Sequence, residues 1–200
     1  MKVTRAQAEE NRRKVVESAG RLFKEHGFDG VGLNELMQAV GLTRGAFYKQ
    51  FASKEDLVNE ACASTLAEGA GRWRRTLEAN PGDPLAALVR RYLTTSHRDR
   101  IGEGCAFAAL GADTGRHDDA LRASFGAGLR EHVAILEEAA KASPSHPGAR
   151  DALATFATMV GALMLSRMVD DEELSRQLLD AAAGSVLGPP DAPAVSGPAG

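Results

Sequence analysis

The sequence predicts an all-α protein, with an N-terminal three-helix head holding a helix-turn-helix and a longer helical body behind it. Three observations carry this. Apolar residues recur at a spacing of three to four in segment after segment. Glycine, proline, asparagine and aspartate punctuate the intervals between those segments, at Gly27, at Asn80-Pro81-Gly82 and at Pro144 and Pro147. Between Leu33 and Gln50, one short helical pattern is followed by Gly41, then by a second short pattern that Thr43 can cap.

The head reads in order as follows. Thr4 caps a first helix, with Gln7 placed to close a capping box, and the helix runs to His26. Val15, Val16, Ala19, Leu22 and Phe23 form its buried stripe, and Gly27 stands just past its end. Phe28 plugs the small core. The second helix spans Leu33 to Ala39 and the third Thr43 to Gln50. The third is small on its leading face, Thr43-Arg44-Gly45-Ala46, which suits a helix that must bring its backbone close to base edges in a major groove. Phe47 and Phe51 point inward, while Lys49 can meet a phosphate. Ser53 and Asp56 cap the fourth helix, from Lys54 to Ala79. A lysine at a helix N-terminus opposes the helix dipole, so Lys54 makes sense if a phosphate docks on the same amides.

Charge agrees with that reading. The whole chain carries a net charge of -3, but residues 1–54 hold ten Lys/Arg against six Asp/Glu, a net of +4. The remainder is acidic. A basic head on an acidic body suits nucleic-acid binding by the head alone.

The head resembles the TetR/AcrR family of bacterial transcriptional regulators. The residues that carry the resemblance are Leu22 to Phe28 (Leu-Phe-x-x-x-Gly-Phe), Val40 to Gly45 (Val-Gly-Leu-Thr-x-Gly) and Phe47 to Leu57 (Phe-Tyr-x-x-Phe-x-x-Lys-Glu-x-Leu). It covers roughly Arg13 to Leu57; beyond that, length and helical pattern alone agree. The resemblance implies that Thr43, Arg44, Gly45, Ala46, Tyr48, Lys49 and Lys54 meet DNA, with the Tyr48 hydroxyl on a phosphate. It also implies a palindromic double-stranded operator, a homodimer through the last two helices, and a body that binds a small-molecule inducer and releases DNA. Two positions depart from the family pattern. Val31-Gly32 stands where a capping Thr or Ser is usual, and Met37 where Ala is usual.

In the body, Asp83 caps a helix whose first residue is Pro84 and which is expected to reach His97. His97 to Arg100 reads as a charged surface turn. Gly102 and Gly104 flank a short apolar segment, Cys105 to Leu110, and a loop holds Asp113 to Gly115. A long helix follows from His117 to Lys141, with Gly126 and Gly128 inside it, a pattern tolerated where a neighbour comes close. The next helix, Ala149 to Met168, is apolar beyond one face. Asp170 or Asp171 caps the last, which ends near Leu187. The expected division is therefore 1–53 for the head, 54–188 for the body and 189–200 for a disordered tail.

No enzyme constellation is present, and the chain is read as non-enzymatic, with no cofactor. The five histidines are scattered, so no metal site is expected. No stretch reaches the roughly eighteen apolar residues of a membrane span, and no apolar leader opens the chain, so a cytoplasmic protein is expected. Candidate pocket-wall residues are Trp73, Tyr92, Phe107, Phe125, His132, Phe156 and Met159. Being apolar and aromatic, they suit a hydrophobic or aromatic ligand. Cys105 is a further candidate. If it opens a helix beside His97, Arg98 and Arg100, its thiolate gains from amides and cations and it could sense oxidants or electrophiles. Cys62 lies on an apolar face and reads as inert. The alternatives to a ligand-released repressor are a thiol sensor and a ligand-independent regulator.

Overall fold

A computed structural model describes residues 4–146, 149 and 151–188. The tail expected from residue 189 onward lies outside the described residues. Among the described residues every regular element is helical: α1 (Arg5–His26), α2 (Leu33–Ala39), α3 (Arg44–Phe47), α4 (Lys54–Ala79), α5 (Pro84–Tyr92), α6 (Thr95–Asp99), a 3-10 turn (Ile101–Glu103), α7 (Ala106–Thr114), α8 (Asp119–Ala142), α9 (Ala152–Ser166) and α10 (Glu172–Leu187). None of these helices is long and apolar enough to cross a membrane.

The contacts divide the chain into two compact units. Of the described residues, those up to 69 and those in 100–129 form the first, and those in 70–99 and from 130 onward form the second. The backbones of α4 and α8 each run from one unit into the other.

The first unit is built around aromatic and aliphatic side chains that α1, α2, α3 and α4 turn inward. Phe23, Phe47 and Leu57 are fully buried, and Phe28, Leu36, Met37 and Phe51 nearly so. Phe23 meets Phe28 edge to face at 5.8 Å, and Phe47 stacks on Phe51 at 5.2 Å. Burying these seven side chains contributes on the order of 10 kcal/mol before entropy is counted. Ala106, Leu110, Leu121 and Phe125, from α7 and α8, complete the same core. A Cβ on Gly128 would stand 3.1 to 3.3 Å from the atoms of Leu66, so this glycine lets α8 approach α4 closely.

In the second unit, α9 packs along α10, and α5 lies against α10. His146 ties the ends together. Its ring nitrogens lie 2.8 Å from the Asp83 carboxylate, which caps α5, and 2.9 Å from the Leu187 carbonyl at the end of α10.

Several boundaries differ from the sequence expectation. The helix from Pro84 stops at Tyr92 instead of His97 because Thr94 begins a new one. Its hydroxyl accepts the His97 amide and its carbonyl accepts the Arg98 amide, a local alternative that threonine offers the backbone. His97 to Arg100 is accordingly not a surface turn. Most of it is α6, and the Arg98 side chain is largely covered, pairing with Asp99 and Glu172 and donating to the Ser175 hydroxyl. The Asp113–Thr114 segment belongs to α7, whose Thr114 hydroxyl donates to the Leu110 carbonyl. Asp151, not Ala149, sets the start of α9 by capping the Ala154 amide. At the last helix Asp171 is the cap.

Candidate nucleic-acid interface

Helices α2 and α3 are joined by a turn that only a residue tolerant of left-handed backbone adopts without strain. Gly41 has φ +68°, and the Leu42 amide then returns to the Met37 carbonyl at 2.8 Å. Gly32 occupies the cap position of α2 with no side-chain bond, as the missing Thr or Ser requires. Thr43 caps α3 by accepting the Ala46 amide at 3.3 Å. This cap turns the first residues of α3 outward. Thr43, Arg44 and Gly45 are exposed and Ala46 is half-buried. A Cβ on Gly45 would touch nothing nearer than the Thr43 hydroxyl at 3.9 Å.

The third helix is shorter than expected. It ends at Phe47, and residues 48–50 close in a turn whose Gln50 amide bonds to the Phe47 carbonyl. The turn keeps Tyr48 and Lys49 on the outside. Tyr48 is 57% exposed, which is exceptional for a large ring beside a closed core. Its edge rests on Phe47 at 5.2 Å, and the Arg44 guanidinium lies 6.0 Å above it. Thr43, Arg44, Gly45, Ala46, Tyr48 and Lys49 thus share one surface, with two cations, two hydroxyls and little bulk at its leading edge.

Lys54 does something the sequence did not reveal. Its ammonium donates to the Phe28 carbonyl at 2.7 Å, tying the start of α4 to the loop after α1. A lysine carries three donors, so this bond leaves capacity for a phosphate. Beside it, Phe28, Asp29, Lys54, Glu55, Val58, Asn59, His117, Asp118 and Leu121 line a cleft of about 40 Å³. That admits water and is far below the ~300 Å³ at which small-molecule sites begin. His117 meets Phe28 edge to face at 4.6 Å. Asp118 caps α8 through the Leu121 amide, and that bond holds its carboxyl below the usual carboxylate range.

The candidate ligand residues fall in both units. Trp73, Tyr92, His132, Phe156 and Met159 belong to the second. There Trp73 stands edge to face against His132 at 4.8 Å and Tyr92 at 5.8 Å, and 6.0 Å from Phe156. All five are buried. Cys105, Phe107 and Phe125 belong to the first unit, where Phe107 and Phe125 meet at 5.5 Å. Cys105 is half-buried, is not in a disulfide, and occupies the cap position of α7. The residue before it is held by Lys24, a buried lysine of α1 whose ammonium donates to the Gly104 carbonyl at 3.3 Å. Sequence reasoning missed this lysine, because an isolated cation on an otherwise helical stripe looks solvated. Burial pushes the Cys62 thiol up to about 12, against a smaller opposing effect of Lys24, which disfavours the reactive thiolate. Among the described residues no group of three His, Cys, Asp or Glu side chains could hold a metal ion.

The sequence profile of the bacterial regulatory proteins of the tetR family matches residues 15–61, which is the surface just described together with its supporting helices. The HTH-type transcriptional regulator AcrR of Shigella flexneri is 36% identical over 86 residues, covering 42% of this chain and 40% of that protein. The chain thus matches under half the length of the first curated relatives. Among solved structures, the reduced form of Escherichia coli NemR superposes with a TM-score of 0.72 at 22% identity, over 88% of this chain and 94% of that one. AibR in complex with isovaleryl coenzyme A and operator DNA superposes with a TM-score of 0.60 at 19% identity, over 90% of this chain and 99% of that one. At these identities the structural likeness shows a common fold.

Proposed function

Because the chain belongs to the TetR/AcrR family of bacterial transcriptional regulators, we propose that it is a homodimeric repressor that binds a palindromic operator and is released from it by a small hydrophobic or aromatic ligand. The observation that carries the DNA-binding half is the α3 surface, where an exposed tyrosine, two cations and a glycine-alanine leading edge share one face. Arg44 and Thr43 reach base edges; Tyr48, Lys49 and Lys54 meet phosphates.

Dimerisation is supported by α9 and α10. Their inward faces are buried, yet Leu153, Met164 and Leu165 of α9, Met168 in the turn after it and Leu174 of α10 are exposed. Such an apolar stripe on two antiparallel helices suits a four-helix contact with a second copy. The aromatic cluster around Trp73 supports an apolar ligand, and AibR, in complex with isovaleryl coenzyme A and operator DNA, supports a small-molecule ligand in this fold. Ligand entry would part those rings, and the continuous backbone of α4 would carry the displacement toward the head.

A second reading rests on Cys105. It opens α7, is half-exposed, and follows a carbonyl held by a buried ammonium. A thiolate there would attack hydrogen peroxide to give a sulfenic acid and release water after proton transfer.

One experiment separates these readings. A gel-shift titration on duplexes selected from a random library is run on wild type, Tyr48→Phe and Cys105→Ser, with a panel of apolar ligands and with peroxide. Weakened binding by Tyr48→Phe is the expected result. Release by a ligand in both wild type and Cys105→Ser favours the pocket. Release by peroxide in wild type alone favours the thiol. A wild-type chain that selects no duplex refutes the DNA-binding reading.

A further inference from the structure

The exposed turn of residues 48–50 has an anchor outside the helix-turn-helix itself. Arg12, on α1, lies with its guanidinium 4.2 Å from the centre of the Phe51 ring. Its Nε donates to Glu60 on α4 at 3.0 Å, and one Nη donates to the other oxygen of the same carboxylate. The remaining Nη donates to the backbone carbonyl of Gln50. One planar cation therefore spends its fork on a carboxylate, its third direction on a carbonyl and its face on a ring, a combination lysine cannot reproduce. The two side chains are only 37% and 36% exposed, so the pair is not a loose surface contact.

The partners matter because of where they lie. Helix α3 is four residues long, and only the bonds of the Gln50 and Phe51 amides to the Phe47 carbonyl continue it into the turn. Gln50 follows directly on Tyr48 and Lys49, the two side chains the turn presents. Phe47 and Phe51 bury the ends of this segment, and the Gln50 carbonyl is the point at which the turn is tied to α1 and α4. The donors and face of the Arg12 guanidinium are taken up by Glu60, the Gln50 carbonyl and the Phe51 ring, and its charge is met by Glu60.

We infer that Arg12 is a positioning residue for DNA recognition: it clamps the Gln50 carbonyl and, through Glu60, locks the turn that presents Tyr48 and Lys49. This rests on the DNA-binding reading above. Without the clamp, the turn residues regain freedom that binding must then remove, which predicts a loss of affinity on the order of tenfold.

The test uses the full chain and a duplex of about 30 base pairs selected with the wild type, long enough for two half-sites. Arg12→Met weakens binding while leaving the slope of log affinity against log salt unchanged. A slope reduced by about one would mean that Arg12 meets a phosphate directly, and would overturn the proposal. Glu60→Gln gives a test of sign. It makes the head more positive, so a purely electrostatic role predicts tighter binding, whereas the clamp predicts weaker binding. Tighter or unchanged binding overturns the clamp, and this variant serves if Arg12→Met does not fold. Hydrogen exchange adds a readout without DNA. The Gln50 and Phe51 amides, both bonded to the Phe47 carbonyl, exchange roughly tenfold faster in Glu60→Gln while α1 and the body of α4 do not change. Unchanged exchange at Gln50 and Phe51 refutes the clamp even if the wild type selects no duplex.

Discussion

Replacing Gly45 with alanine separates the stability of the head from its affinity for DNA. In the free protein the added Cβ meets only the Thr43 hydroxyl at 3.9 Å, an ordinary contact, and Gly45 is not in the left-handed region. The substitution therefore removes backbone freedom from the unfolded chain at no steric cost. The gain is about 0.5 kcal/mol, the low end for alanine over glycine in a helix, because α3 has only one turn. In the proposed docking the same methyl group stands where the backbone approaches the groove. A cost of about 1 kcal/mol per head is at the lower end of losing one good base contact. A dimer carries two heads, so the loss is about 2 kcal/mol, roughly thirtyfold. Urea denaturation reads the first effect, and fluorescence anisotropy on a selected duplex at fixed salt reads the second. Gly41→Ala is the control. Nothing lies within 4 Å of its Cβ, yet φ is +68°, so the penalty of about 1–2 kcal/mol is purely conformational. A Gly45→Ala protein that binds DNA as tightly as the wild type would refute the docking face assigned to α3.

Two further outcomes follow from the body. Both nitrogens of His146 face acceptors, so the imidazolium satisfies both contacts while the neutral ring satisfies one. Burial alone would lower its pKa, but the bonds to Asp83 and Leu187 outweigh that, with Arg90 opposing, and the net shift is upward. Burial likewise raises Asp83, and its bonds from His146, the Ala86 amide and Ser143 bring it down overall. The His146 contribution is thus complete below the ordinary histidine value near 6.5 and is lost as pH rises through the higher folded value. That of Asp83 is present above its ordinary carboxylate value and is lost as pH falls through the lower folded one. In urea denaturation His146→Gln destabilises at pH 6 more than at pH 9; an equal effect at both pH values would contradict the charged lock. Met168→Glu removes a side chain that is 70% exposed and so costs the protomer little. It weakens self-association at least tenfold by light scattering, because the proposed interface must then bury a carboxylate, and an unchanged mass profile would remove the turn after α9 from that contact.

The sequence was most readable where punctuation is local. Ser53, Asp56 and Asn80-Pro81 delimit α4 because caps and breakers act on their immediate neighbours, and the ends of α2 and α10 were legible for the same reason. Thr94 was misread because a hydroxyl that caps one helix looks, in sequence, like a weak member of another. The tertiary roles of the cations were not legible at all. Arg12, Lys24, Lys54 and Arg98 each spend donors on groups from 26 to 80 residues away, and no periodicity encodes such partners. Phe28, Phe47 and Phe51 were read as inward-facing and are buried, as are Trp73, Tyr92, Phe125 and Phe156 among the candidate ligand rings. Their division between the units was not legible, since a buried ring at helical spacing says that a face is covered and nothing about which other rings cover it.

The chain holds one tryptophan and two tyrosines, and their placement makes the molecule its own optical gauge. Trp73 sits among Tyr92, His132 and Phe156 in the second unit, while Tyr48 stands exposed on the first. Light absorbed by the indole alone therefore reports on the aromatic cluster of the body and is blind to local melting of the head. Difference spectra of the phenol ring at Tyr48 report on the first unit. If the proposed ligand release holds, the two signals separate a change in the body from a change in the head, and the order in which they move during a titration gives the direction of the coupling.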